Sequence, residues 1–352
     1  MARIEASQWW PGVGFALGSA VLFGATPVLS KPLLEIVDPA MLAALLYLGA
    51  GLGIATVRLA GFGGGLGEQA PLRRHDWPWL AAAILAGGVV GPILLMWGVS
   101  LTLASSAALL LNLESVATMT IAWIVFREHV DRMLLLGALS ILLGATILSW
   151  QGEGLSVDLG ALCVAGACLA WGIDNNLTRK IANADPLQIT MLKGLIAGFV
   201  NLAIALWTGA SIPVAGVAIA AGVLGLAGIG ASLVLFILAL RHLGAARTGA
   251  YYSLAPFIGA VLAIAFLGET VSAQLVLAAL FMGAGLWIHL RETHEHQHNH
   301  EWMAHEHSHV HDVHHQHHHD GPVTEPHSHP HVHEPMRHSH RHYPDLHHTH
   351  RH

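Results

Sequence analysis

The chain has 352 residues, of which 54% are hydrophobic and only 11% charged, and its formal net charge is −6. In soluble proteins about a quarter of the residues are charged, so this composition excludes an ordinary soluble domain. Of the 28 histidines, 24 lie between His294 and His352, in a polar segment. The sequence therefore divides into an apolar membrane body and a histidine-rich tail. It has no basic patch, which argues against nucleic acid as a partner.

The body contains apolar stretches that are long enough to cross a bilayer as helices. They are continuously apolar, whereas the strands of a membrane barrel alternate, so the predicted fold class is an all-α membrane protein. Turn signals such as Asp38-Pro39 and Asp185-Pro186 separate the stretches. The ten predicted spans are 12–30, 39–59, 79–99, 104–126, 133–150, 159–177, 187–208, 215–240, 248–267 and 273–290.

Positive charge is distributed unequally between the two sides of this arrangement. With the N-terminus inside, and without counting the tail, the even-numbered loops, the termini and the adjoining span ends of the body hold eleven lysines and arginines, whereas the odd-numbered loops hold only Lys31. Because lysine and arginine favour the cytoplasmic side, the bias sets the orientation. It predicts a multi-pass protein of the inner (cytoplasmic) membrane with both termini in the cytoplasm.

An internal repeat relates the two halves of the body. A shift of 141 residues aligns Ala104–Trp150 with Ala245–Arg291, and 11 of the 47 aligned positions are identical. Glu128 and Glu269 occupy equivalent span ends, which favours an architectural role for both as caps or ion pairs. Each unit has five spans, an odd number, so the two units have opposite orientations in the membrane. Inverted repeats of this kind are a common plan of secondary transporters.

Earlier segments of the two units also correspond, since Phe23-Gly24-Ala25 matches Trp171-Gly172-Ile173 in pattern. The predicted organisation is a cytoplasmic N-terminus (1–10), a first five-helix repeat (11–150), a second five-helix repeat (151–292) and a disordered histidine-rich tail (293–352).

The order of these elements resembles the EamA branch of the drug/metabolite transporter superfamily. The features that carry the resemblance are the two five-helix repeats, the segment Leu111-Asn112-Leu113-Glu114, the span ends Phe126-Arg127-Glu128 and Leu267-Gly268-Glu269, and Pro256 in span nine, where the first repeat has Ser115. The resemblance covers about 11–290 and does not account for the tail. It implies a proton- or gradient-coupled carrier, often an exporter of small metabolites, amino acids or drugs.

Few ionisable groups fall well inside the predicted spans. Because charge is costly in hydrocarbon, such groups usually face a cavity or a partner. Glu114 lies near the middle of span four, with Asn112 two residues before it, and Lys193 lies in span seven. We interpret Glu114 as a proton- or cation-coupling carboxylate paired with Lys193; the alternative is a structural salt bridge or a lysine that extends to the interface. Asp174 and Asn175, near the cytoplasmic end of span six, are further candidates.

Aromatic residues in the spans are candidates for the lining of a central pathway, because aromatic faces bind organic or cationic groups. These residues are Trp97, Trp171, Tyr251 and Tyr252. The alternative for each of them is interfacial anchoring or helix packing.

The tail is dense in imidazole, which suits Ni, Co, Zn and Cu, and its carboxylates add oxygen ligands. It cannot build an apolar core, so we expect it to be disordered until a metal binds. The predicted metal ligands are His294, His296, His298, His300, His305, His307, His309, His311, His314, His315, His317, His318, His319, His327, His329, His331 and His333. A pH-responsive or solubilising tail is the alternative, and the mixed composition is unlike a uniform affinity tag.

The predicted function is secondary-active transport of a small metabolite, amino acid or drug-like solute by alternating access. One alternative is a transition-metal exporter loaded by the tail, and another is a membrane-tethered metal buffer or sensor. The sequence has no G-x-x-x-x-G-K-[ST] loop or nucleophile elbow, and the apolar body has no His-Glu-x-x-His site, so neither an enzyme nor a required cofactor is predicted. The expected partners are the lipid bilayer and a small-molecule or metal-ion substrate, and a homodimer is compatible with the sequence.

Overall fold

The computed structural model describes residues 2–60, 71–126, 132–150, 158–181, 184–243, 248 and 251–291 of the body, and 294–299, 303–309, 327–333 and 337–342 of the tail. The α-helices of the body are α1 (Ala2–Leu33), α2 (Pro39–Leu59), α3 (Trp77–Ala83), α4 (Gly91–Leu101), α5 (Ala104–Leu110), α6 (Leu113–Phe126), α7 (Arg132–Ser149), α8 (Leu159–Thr178), α9 (Pro186–Trp207), α10 (Ala215–Gly225), α11 (Ser232–Leu243), α12 (Ala255–Leu267) and α13 (Ala273–Arg291). Short 3₁₀ helices cover Arg74–Asp76 and Arg179–Ile181, and π-helical segments cover Ile84–Val90 and Leu226–Ala231.

Seven helical segments of the described chain are long and apolar enough to cross a membrane. They are Gly12–Leu33, Pro39–Leu59, Arg74–Leu101, Ala104–Val125, Arg132–Ser149, Leu187–Trp207 and Ala215–Ala239. Two shorter apolar helices, Ala255–Leu267 and Ala273–His289, coincide with predicted spans nine and ten. Helix α8 coincides with predicted span six. The body is therefore a multi-pass helical membrane domain, as the sequence predicts.

Asp-Pro pairs begin α2 and α9. The Asp38 carboxylate accepts a hydrogen bond from the amide of Ala40 (2.8 Å), and the Asp185 carboxylate accepts one from the amide of Leu187 (2.9 Å). Proline is tolerated at these positions because the first amides of a helix have no acceptor within the helix. Arg58 at the end of α2 forms a salt bridge with Asp185, so the cap of α9 also joins the two helices.

Equivalent helix contacts relate the two repeats. A Cβ atom on Gly24 of α1 would overlap the carbonyl of Ala255 in α12, and a Cβ atom on Gly172 of α8 would lie 2.8 Å from the Cβ of Ala117 in α6. Gly24 and Gly172 are the two glycines that the sequence pattern aligns. The first helix of each repeat therefore packs closely against the fourth span of the other repeat, and small residues permit this approach.

Four predicted spans are not continuous α-helices. Span four is interrupted by a turn at Leu111 and Asn112, and span nine by a turn at Ser253 and Leu254. Spans three and eight each contain one of the two π-helical segments, which lie at nearly equivalent positions of the repeats. The sequence predicts each of these spans as one apolar stretch and does not predict the interruptions. Apolar composition does not reveal the interruptions, because the spans are apolar on both sides of each turn; Asn112 and Ser253, residue types that favour turns, are the only local signal in spans four and nine.

The described part of the tail forms two antiparallel strand pairs. They are β1 (His294–Asn299) with β4 (Arg337–His342), and β2 (Met303–His309) with β3 (His327–His333). These segments differ from the disordered tail that the composition predicts. The reason lies in the alternating pattern, because histidine at every second position matches the period of a strand. The predicted ligands His300, His311, His314, His315, His317, His318 and His319 lie outside the described residues.

Candidate functional site

The interruption of span four places Glu114 in the first turn of α6. The turn is stabilised by its own side chains, since Asn112 donates to the carbonyl of Leu109 (2.8 Å) and Ser115 donates to the carbonyl of Asn112 (2.8 Å). The amide of Glu114 bonds the carbonyl of Leu111 (3.0 Å). Backbone groups within a membrane need such internal partners. Asn112, predicted as a substrate or coupling residue, is thus placed where it supports the turn.

The carboxylate of Glu114 meets α8. Nδ2 of Asn175 lies 2.9 Å from Oε1 of Glu114 and 3.2 Å from Oγ1 of Thr118. The structure therefore brings together two of the predicted site residues, Glu114 and Asn175. Within the described ranges no salt bridge involves Glu114, and an amide donor carries no charge that could neutralise a carboxylate.

Lys193 forms its salt bridge with Asp174, not with Glu114. Its Nζ atom lies 2.7 Å from Oδ1 and 2.6 Å from Oδ2 of Asp174, and Thr178 donates to the same carboxylate (2.8 Å). Both side chains are largely buried, with exposures of 19% for Lys193 and 8% for Asp174. The predicted pairing of Lys193 with Glu114 is wrong. The reason is that Gly87 has no side chain, which leaves room for the Asp174 carboxylate between α8 and span three, within reach of Lys193.

The carbonyl of Gly87 connects three helices beside this salt bridge. It accepts hydrogen bonds from the Tyr47 hydroxyl (3.0 Å) and from Nε1 of Trp171 (2.9 Å). The next carbonyl, that of Gly88, accepts from Nδ2 of Asn201 (3.0 Å). Both carbonyls lie in the π-helical segment Ile84–Val90, where the regular α-helical hydrogen-bond pattern is interrupted. Tyr47 and Asn201 are not among the predicted site residues; the signal that points to them in the sequence is a single polar side chain within an apolar span.

Aromatic rings pack around Trp171, which binds the carbonyl of Gly87. The ring of Phe23 lies 6.5 Å from that of Trp171 and 5.5 Å from that of Tyr252, and Phe236 lies 4.9 Å from Tyr252. Trp171 and Asn175 are one helical turn apart on α8, so this aromatic cluster is adjacent to the Glu114 contact. Two predicted aromatic candidates thus come together.

The other aromatic candidates lie elsewhere. Tyr251 packs against Ala16 and Ala239, in a separate small cluster. Trp97 lies on α4 with 45% of its surface exposed, which fits a ring that faces lipid.

The structure contains no group of three or more histidine, cysteine, aspartate or glutamate side chains that could hold a metal ion within the described ranges. Binding of a transition metal by the tail stays a prediction. In the strand pairs, the register sets His305 opposite His331 and His307 opposite His329.

The sequence matches the EamA-like transporter family over residues 10–150 and 158–291. The chain belongs to this family. An "Uncharacterized transporter" of Methanothermobacter thermautotrophicus is similar to this EamA-like chain, with 28% identity over 286 residues that cover 77% of the chain and 83% of the relative. A solved crystal structure superposes with a TM-score of 0.58 at 19% identity, covering 79% of this chain and 95% of its own, which supports the fold alone.

Proposed function

We propose that the protein is a secondary-active exporter of a small organic solute, with ten membrane spans arranged as two inverted repeats. The observation that carries this proposal is the position of Glu114 and Asn175 at the interruption of span four. Interrupted helices near the middle of the membrane are where secondary transporters place their substrate and ion sites. The corresponding interruption of span nine, at Ser253 and Leu254, fits the same plan.

The chemistry of the region gives its residues separate roles. Glu114 receives one neutral donor and takes part in no described salt bridge, so it is the group suited to bind a proton, a cation or a cationic part of the solute. Asp174 and Lys193 neutralise one another and hold α8 against α9. Trp171 and Tyr252 supply apolar faces beside Glu114.

The proposed orientation has both termini in the cytoplasm of a cell whose inner membrane holds the protein. It rests on the lysine and arginine distribution of the sequence. In that orientation a proton gradient directed inward drives export of the solute, because a carboxylate that is reached from each side in turn exchanges a proton for the solute.

An untargeted analysis of exported solutes tests the proposal. Culture media of cells that express the wild-type chain, the Glu114→Gln variant or no transporter are compared by mass spectrometry. We expect at least one small organic solute to accumulate in the wild-type medium and to stay at the background level with Glu114→Gln. If the wild-type medium matches that of cells without the transporter, the proposal of an exporter fails.

The histidine tail favours a second candidate function, in which the cargo or the regulator is a transition metal. In antiparallel pairs, residues directly opposite one another have Cβ atoms about 4.5–5.5 Å apart, which is close enough for two imidazoles to share one ion. The register sets six histidine pairs opposite one another, His294 with His342, His296 with His340, His298 with His338, His305 with His331, His307 with His329, and His309 with His327.

Deletion of residues 294–352 separates the two candidates. If the tail is a metal buffer or sensor beside an organic-solute exporter, the deletion abolishes Ni²⁺ binding in calorimetry and leaves solute export intact. If the metal is the cargo, the same deletion lowers resistance of cells to Ni²⁺ or Co²⁺, and the wild-type medium shows no transporter-dependent organic solute.

A further inference from the structure

The turn between spans three and four is held by two charged side chains from other spans. Nζ of Lys31, near the end of α1, donates to the carbonyls of Val99 (2.6 Å), Ser100 (3.2 Å) and Thr102 (2.7 Å). The carboxylate of Glu269, which follows α12, accepts from the amides of Ala104 (2.7 Å) and Ser105 (2.9 Å). We call Lys31 and Glu269, with the turn that they hold, the clamp.

The charges of the clamp match the helix ends that they bind. The last carbonyls of a helix carry partial negative charge and its first amides carry partial positive charge. Lys31 meets the carbonyl end of α4, and Glu269 meets the amide end of α5. Each charge therefore binds a helix end, and the two charges are not simply each other's partners.

The caps come from outside the turn itself. Leu103 precedes α5 and has an apolar side chain, which cannot accept a hydrogen bond. A serine or aspartate at that position would cap α5 in every conformation of the protein. Glu269 is 165 residues away from Ala104 in the sequence. The cap that it provides exists only while α12 stays beside α5.

The region below the clamp is closed by packing. Val28, Ala104 and Ala263, from α1, α5 and α12, form a buried cluster with exposures of 1%, 0% and 0%. Two buried hydroxyls beside the clamp, Ser30 Oγ and Ser105 Oγ, have no hydrogen-bond partner among the described residues. Buried hydroxyls are costly without partners, so a rearrangement that gave them partners or water would offset part of the loss of the clamp.

We infer that the clamp is the gate on the side of the membrane that faces the odd-numbered loops, which holds 34–38, 102–103 and 268–272. This inference rests on the proposed transport function. In the present conformation the gate is closed, with one span of the first repeat and one of the second holding the same turn. Opening toward this side releases Lys31 and Glu269 from Val99–Ser105 and separates α12 from α5. The same movement displaces α5. Because α5 ends at the turn before Glu114, opening of the gate also moves the segment that positions Glu114.

Thiol labelling measures the state of this gate without any substrate. The probe position is Ser105→Cys, in a chain whose only two cysteines, Cys163 and Cys168, are replaced by alanine. A membrane-impermeant maleimide is applied to right-side-out and to inside-out vesicles. We expect Glu269→Gln and Lys31→Met each to raise the labelling rate of the buried thiol at least about tenfold from the odd-loop side. Glu35→Gln removes an exposed carboxylate that acts on Lys31 through its charge but does not hold the turn, so it should change the rate far less than Glu269→Gln.

A charge exchange separates a gate made of helix ends from a simple ion pair. In Lys31→Glu with Glu269→Lys, each charge faces the helix end of its own sign, so the thiol should label at least as fast as in Glu269→Gln. If the exchange restores the protection seen in the parent chain, or if neither single variant changes labelling in a protein that elutes normally from size-exclusion chromatography, the inference is overturned. If the clamp variants label faster but the wild-type chain exports no solute, the inferred clamp is supported and the proposed transport function is contradicted. Labelling that rises only from the opposite side places the gate there and overturns the inferred side.

Discussion

Ser140 donates a hydrogen bond to the main-chain carbonyl of Phe281, 2.7 Å away, and the two residues are separated by 141 positions. This separation equals the shift that aligns the two repeats, so Ser140 contacts its own counterpart. Such a contact occurs only where equivalent helices cross at the axis that relates the repeats. Helices α7 and α13 therefore meet at this axis, and their glycines make the close approach.

Enlarging a glycine at this crossing is expected to destabilise the protein. A Cβ atom on Gly285 would lie 2.5 Å from the carbonyl of Gly137 and 2.8 Å from the side chain of Ile141. Overpacking of this kind costs about 1–3 kcal/mol, so Gly285→Val should lower the melting temperature in detergent. Leu280→Val is the control, because Leu280 is 65% exposed on the same helix. Equal melting temperatures for the two variants would contradict the close packing of α7 against α13 at Gly285.

Removal of one member of the buried ion pair should cost more than removal of an exposed one. Lys193→Met leaves the Asp174 carboxylate buried without its cation, and breaking a buried pair in this way costs about 3–5 kcal/mol. Arg58→Met removes a cation that is 43% exposed from an aspartate that is 9% exposed, so water reaches this pair from the arginine side and the loss should be smaller. Thermal unfolding of the two variants measures the difference.

The double variant Lys193→Met with Asp174→Asn provides a second measurement. It should recover part of the stability that Lys193→Met loses, since no unpaired charge remains. A double variant less stable than both single variants would show that the two side chains act independently, contrary to the structure.

The space at Gly87 is expected to be essential for the position of Asp174. A Cβ atom there would overlap the Asp174 carboxylate. Gly87→Ala should therefore displace this carboxylate from Lys193 and lower both stability and transport, with an effect on stability of about 1–3 kcal/mol. Gly14→Ala is the comparison, because a Cβ atom on Gly14 meets nothing within 4 Å. If Gly87→Ala is as stable as Gly14→Ala and exports the solute equally well, the packing of Asp174 against Gly87 is contradicted.

The sequence predicts the helical segments and the repeat well, because both depend on local composition and on spacing. The helix starts at Asp38-Pro39 and Asp185-Pro186 lie where the turn signals place them. It also predicts an architectural role for Glu269, as a cap or an ion pair, although not that its partners are the first amides of α5. That helix is distant in the chain, and a single sequence does not show which helices are neighbours.

The interior of the site is harder to predict for the same reason. Glu114, Asp174, Asn175 and Lys193 are conspicuous as polar residues within apolar spans, but their pairing depends on helix rotation and on the room that one glycine provides. The π-helical segment at Ile84–Val90 is apolar throughout, so hydropathy gives no sign of it, and the buried carbonyls of Gly87 and Gly88 are identified as acceptors only by the side chains that bind them.

The proposed role of Glu114 is tested most directly in proteoliposomes with the solute that the analysis of culture media identifies. An imposed pH gradient should drive uptake of this solute by the wild-type protein and by Glu35→Gln, and uptake should stop when the gradient is collapsed. Glu114→Gln should bind the Ni²⁺ probe through its tail as the wild type does, yet lose gradient-driven uptake at least about tenfold. Gradient-driven uptake by Glu114→Gln at the wild-type rate would contradict the proposed coupling role of Glu114.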